Sequence, residues 1–120
     1  MMEQDRELLE LAAKAAGREI EEWDACGFAQ TKEQERWNPL VDDGDALRLA
    51  ATLGIDVEWR ADGRVAAYRH ANANGYCFTA LESSRGDRAA NVRRAIVRAA
   101  LSYLADDTRA AMQRASGGEE

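Results

Sequence analysis

Histidine, proline, cysteine and lysine are all scarce in this chain of 120 residues, and each scarcity closes off a class of chemistry. His70 stands alone, so no multi-histidine metal site can form, and a site shared with Cys77 would leave a zinc ion short of ligands. A Cys77–His70 nucleophile pair can be drawn, but both residues fall in a stretch that reads as meander, where a core thiol and a surface imidazole account for them. Cys26 and Cys77 lie far apart and in no CxxC pair, which reads as two reduced, buried thiols. No apolar run approaches the ~18 residues of a membrane span. Met1–Glu10 is acidic and polar, unlike a signal peptide, so the expected location is the cytosol of a bacterium. No phosphate-binding glycine loop and no dinucleotide fingerprint occurs, and neither a cofactor nor a metal is expected. Fourteen arginines against two lysines point to a GC-rich genome, which lowers the functional weight of any single arginine.

What is present is a globular composition, with 46% apolar and 32% charged residues. The length suffices for one hydrophobic core and not for two. A single domain is expected over residues 1–114, with 115–120 as a disordered, acidic tail. The net charge of −6 is unevenly spread. Residues 1–35 carry ten acids against four bases, whereas residues 85–114 carry seven arginines against three acids. An acidic body has no general attraction for nucleic acid, yet a local arginine patch can still hold one anion.

Along the chain, Leu8, Leu11, Ala12 and Ala15 recur at helical spacing between Gln4 and Ala16, and Gly17 stops that helix. Arg18–Trp23 and Gly27–Thr31 read as strands around a turn at Asp24–Gly27, although Ile20 and Trp23 fall on opposite faces of a regular strand. In the run from Trp37 to Asp45 the only proline, Pro39, holds Asn38 extended. Asp42 or Asp43 can cap the helix that follows, and acids in its first turn favour its dipole. Leu47, Ala50 and Leu53 form its buried stripe, and Gly54 ends it. Ile55, Val57 and Trp59 alternate with Asp56, Glu58 and Arg60 as a half-buried strand. Asp62-Gly63 turns the chain back into Val65–His70, and Asn72–Gly75 turns it again into Tyr76–Leu81. The longest helix starts near Asp87 and reaches Ala105 or Met112. The pattern predicts an α+β fold, a small antiparallel sheet of about three to five strands packed by an N-terminal helix, a short middle helix and a long C-terminal helix.

On the last helix Val92, Ile96, Val97, Ala100, Leu101, Tyr103 and Leu104 share an apolar arc, with Arg94, Arg98 and Arg109 opposite. Arg93 projects near the middle of that arc. A guanidinium there must snorkel, pair with a carboxylate or line a pocket floor. Arg93, Arg94 and Arg98 with Asn91 can form an anion site, because arginine forks match phosphate geometry. The plainer account of Arg94 and Arg98 is a solvated helix face. Trp23, Trp37 and Trp59 either stack on a base or fill the core. Asp42, Asp43 and Asp45 are oxygen ligands of the kind Mg²⁺ takes, and helix capping explains the same residues without a metal.

The runs Trp37–Val57 and Ala89–Ala100 resemble a group of small proteins encoded by tailed phages and prophages of proteobacteria. In that group an NPL.DDGDALRLA..LG block, here Asn38–Gly54, precedes a variable meander and a closing RRAIVRAA helix, here Arg93–Ala100. The resemblance covers about a third of the chain directly, and it is weaker over the first 35 residues. It brings no established activity. The matching residues are Asn38, Pro39, Asp42, Asp43, Asp45, Arg48, Arg93, Arg94 and Arg98. They either make a site or dock the last helix on the second, through an Asp43–Arg93 or an Asp45–Arg93 contact.

Two readings from different classes follow. The first is a non-catalytic, phage-type accessory protein, acting in counter-defence by binding a small anionic, nucleotide-like signal or a host protein. Arg93, Arg94, Arg98, Asn91, Trp37, Trp59 and Asn38 are its candidate ligand-binding residues. A chain this short often builds such a pocket between two copies, so sequestration of a ligand implies a homo-oligomer. The second is a metal-dependent hydrolase using the Asp42–Asp45 cluster. An acidic mimic of nucleic acid, resting on the N-terminal charge excess alone, comes third.

Overall fold

The computed structural model describes residues 3–69, 78–83 and 85–117. His70, Cys77 and the turn expected at Asn72–Gly75 lie outside the described residues. The order of elements is α1 (Glu3–Ala15), β1 (Ile20–Trp23), β2 (Ala29–Thr31), β3 (Arg36–Trp37), α2 (Asp43–Leu53), β4 (Ile55–Trp59), β5 (Val65–Arg69), β6 (Phe78–Glu82) and α3 (Arg88–Gly117). The fold is α+β, as the sequence patterns predict. Its strands divide into two three-stranded antiparallel sheets, β1–β2–β3 and β4–β5–β6, rather than forming one.

The first sheet resolves the mismatch between Ile20 and Trp23. Ile20 pairs with Thr31, Glu22 with Gln30 and Trp23 with Ala29, so the register slips by one residue at Glu21. Such a bulge turns two residues of unequal parity to the same face. Ile20 and Trp23 both pack against the core, beside buried Ala29 and Thr31. β3 is only two residues long, too short to show an alternation in the sequence. It adds Trp37 to the core opposite Ala29.

The second sheet follows its sequence signals closely. Val57 pairs with Ala67 and Trp59 with Val65 across the Asp62-Gly63 turn, and β6 pairs with β5 from Arg69–Phe78 to Val65–Glu82. α2 also begins and ends where its residues dictate. Asp42 is the N-cap, accepting a hydrogen bond from Asp45 N at 2.8 Å, and Gly54 closes the helix at φ 71°, a left-handed conformation that glycine adopts without strain.

α3 is the central strut, packing against α1, α2, β4, β5 and β6. Ala95, Ile96, Val97, Ala99 and Ala100 are each 4% exposed or less, so this stretch is covered on nearly every side. Eleven of the eighteen buried apolar residues described are alanine, which lets the elements approach closely while burying little area each. α3 runs past its expected end, to Gly117. No helix among the described residues is long and apolar enough to cross a membrane.

Two apolar stripes differ from expectation. In α1 the buried residues are Leu9, Ala12 and Ala13, and Leu11 turns outward. In α2 they are Ala46, Leu49 and Ala50, and Leu47 stands 70% exposed. In both helices the buried stripe combines one leucine, Leu9 or Leu49, with two alanines, and both helices pack against α3.

Candidate functional site

The displaced Leu47 forms part of a cleft bounded by α2, β4 and α3. α2 contributes Asp43, Ala46, Leu47 and Ala50, and β4 contributes Ile55, Asp56, Val57 and Trp59. α3 contributes Ala89, Val92, Arg93 and Ile96, which recur at helical spacing along one face. The hollow measures about 560 Å³, within the range of small-molecule sites. One copy of the chain builds it.

The cleft is open because β4 leaves the core along its length. Ile55 is buried where the strand starts, whereas Val57 is 39% and Trp59 52% exposed on the same face. The alternation that marks β4 as a strand is therefore intact, but its last two apolar residues line the cleft instead of the core. The guanidinium of Arg88, in the first turn of α3, lies over the Trp59 ring, 5.3 Å from its centroid.

Arg93 supplies the guanidinium in the cleft wall. Its side chain is only 15% exposed. Its Nε donates to the Leu40 carbonyl at 2.8 Å, and Nη1 donates to Asp43 Oδ1 at 2.6 Å. Nη2 has no hydrogen bond among the described residues and is not among the buried unpaired atoms. Two of the three expected fates of an arginine on the apolar arc are thus combined: it pairs with a carboxylate and it lines a pocket. The Asp43–Arg93 contact also docks α3 on the N-terminus of α2, the structural role open to the matching block residues.

The other two candidate arginines point elsewhere. Arg94 pairs with Asp5 of α1 at 3.2 Å, and Arg98 pairs with Glu82 of β6. Arg93, Arg94 and Arg98 thus join α3 to three different elements and do not converge on one anion. Asn91 is occupied as well, donating to the carbonyls of Ser83 and Arg85 and so holding the turn ahead of α3. Trp37 is 2% exposed and belongs to the core, not to a stacking surface. Asn38 is 1% exposed; its Nδ2 donates to Gly27 O at 3.0 Å and its Oδ1 accepts from Leu40 N at 2.9 Å. Of the seven candidate ligand-binding residues, the cleft brings together Arg93 and Trp59.

The acid cluster is divided among three partners. Asp42 caps α2, Asp43 pairs with Arg93, and Asp45 accepts from Asn38 N at 2.9 Å and from Arg48 Nη2 at 2.8 Å. The bond from Asp45 raises the already high pKa of Arg48. Among the described residues no three histidine, cysteine or acidic side chains come together as a metal site would need.

Leu47 and Val57 belong to the cleft and Arg88 lies at its edge over Trp59, none of them a candidate from the sequence. Leu47 was legible in principle, since a stripe drawn through Ala46, Leu49, Ala50 and Leu53 leaves it pointing out. Nothing in the sequence announces Arg88. A second, smaller hollow of about 300 Å³ lies between α1 and β1, lined by Glu10, Lys14, Arg18, Glu21 and Trp23 among others, with Arg6 over the Trp23 ring at 4.9 Å. Its Arg18 pairs with Glu35 and its Glu21 accepts from Gln34, both outside the lining. No family model, no curated protein and no solved structure matches the chain.

Proposed function

We propose that this chain is a non-catalytic binding protein, an accessory protein of the tailed-phage and prophage type that works in the cytosol of its bacterial host, and that the α2–β4–α3 cleft is its binding site. The carrying observation is the exposure of Leu47, Val57 and Trp59 around one hollow whose wall also holds Arg93. Large apolar side chains grouped about a concave surface gain free energy from an occupant, at roughly 25 cal/mol for each Å² removed from water. The occupant that fits is a small molecule with a flat apolar body and an anionic group, the body against Trp59 and the anion on Arg93. The phage origin and a role in counter-defence rest on the resemblance carried by residues 37–57 and 89–100.

A host protein is the second reading, and one observation favours it. Val41, outside the cleft lining, is 58% exposed, so apolar surface extends beyond the cleft itself. A hydrolase centred on Asp42–Asp45 has less support, because each of those carboxylates already holds a cap or an ion pair.

Native mass spectrometry of protein purified gently from its expression host tests the reading and counts the copies in the same spectrum. The expected result is an adduct of small-molecule mass that disappears in Trp59→Ser. A protein-sized adduct would shift the assignment to the second reading. A bare chain mass, joined to an absence of any thermal shift across a panel of aromatic acids, would overturn the cleft as a binding site.

A further inference from the structure

Resting on that reading, we propose that the α2–β4–α3 cleft selects singly charged aromatic anions, one carboxylate or sulfonate on a flat apolar body, over polyanions such as nucleotide phosphates. The argument is a count of the charges that face the hollow. Arg93 is the one cationic residue lining it, and its charge is already opposed by the Asp43 carboxylate. Arg88 adds a second guanidinium at the edge, but it lies over the ring of Trp59. Balanced charge of this kind does not concentrate polyanions, which need several unopposed cations.

The arrangement of Arg93 limits it further. Nε and Nη1 are held by Leu40 O and Asp43 Oδ1, which fixes the plane of the guanidinium before a ligand arrives. Nη2 makes no hydrogen bond among the described residues, so one acceptor group can be taken without breaking either bond. A second negative charge on the same ligand would meet Asp43 instead. At the separations a cleft of this size allows, like charges of that kind lower affinity by about tenfold. The rest of the wall is aliphatic or aromatic, offers few polar groups to a ribose or a phosphate chain, and suits fused rings.

Calorimetric titration of the full chain with a charge series on one ring system tests this. The probes are 1-naphthalenemethanol, naphthalene-1-sulfonate, naphthalene-1,5-disulfonate and ATP. Naphthalene-1-sulfonate is expected to bind at least about tenfold tighter than the disulfonate and ATP, and tighter than the neutral alcohol. Arg93→Gln should abolish its advantage over the alcohol. Because Arg93 also docks α3 on α2, Asp43→Asn serves as a second variant, in which the disulfonate should gain on the monosulfonate. If the disulfonate or ATP binds as tightly as the monosulfonate in the unaltered chain, the ligand class is wrong while the cleft stands. If no member binds, the alcohol included, the cleft itself is wrong as a binding site.

Discussion

Asn38 shows how a single side chain can look functional and be structural. It sits in the most distinctive run of the chain, beside the only proline, and a polar residue there reads naturally as a ligand. In the fold it is 1% exposed and joins three segments: Nδ2 reaches Gly27 O in the β1–β2 turn, Oδ1 holds Leu40 N, and its own N–H donates to Asp45. Asn38→Ala would leave the Gly27 carbonyl and the Leu40 N–H without these partners, at a cost of roughly 1–3 kcal/mol each at full burial. A clear fall in the urea midpoint is expected, with ligand affinity at the cleft unchanged in the folded fraction. Loss of binding at unchanged stability would return Asn38 to the site. The sequence could not decide between the two roles, because a buried asparagine and a ligating one carry the same side chain and differ only in what lies eleven residues away.

At the scale of elements, the turn between β1 and β2 depends on one carboxylate. Asp24 Oδ1 accepts from Phe28 N and Cys26 N at 2.9 Å each, and Oδ2 accepts from Arg36 Nε of β3 at 3.2 Å. The bond from Phe28 N is the leading cause that lowers the Asp24 pKa, with Cys26 N and Arg36 adding to it against a desolvation effect of opposite sign. A depressed folded-state pKa stabilises the fold above the unfolded value of about 3.9 and loses that contribution as pH falls through the lower, folded value. Asp24→Asn should therefore be less stable than the unaltered chain at pH 7, and the gap should narrow below about pH 4. A gap that stays constant from pH 7 to pH 3 would contradict the charge-based account of this turn. The elements that were legible are those fixed by local chemistry, such as α2 between Asp42 and Gly54 and the β4–β5 hairpin at Asp62-Gly63. Those that were not, the bulge at Glu21, the short β3 and the displaced stripes of α1 and α2, depend on which partner each element packs against.

Across the whole molecule, the arginines of α3 and the tryptophans divide by tertiary position rather than by sequence. Arg94 finds Asp5, 89 residues earlier, while Arg93 finds Asp43 and lines the cleft. Trp37 is core, Trp23 borders the polar hollow between α1 and β1, and Trp59 stands in the apolar cleft. This scatter explains why Arg93 and Trp59 could be named from the sequence but not set apart from the residues named with them. It also supplies three internal reporters, one in each environment. The most direct test of the cleft is a two-dimensional ¹H–¹⁵N spectrum of the three indole groups, followed during titration with naphthalene-1-sulfonate. The account predicts a saturable shift of the Trp59 indole, with those of Trp23 and Trp37 nearly unmoved. A saturable shift at Trp23 with Trp59 unmoved, or no saturable shift at all, would contradict it.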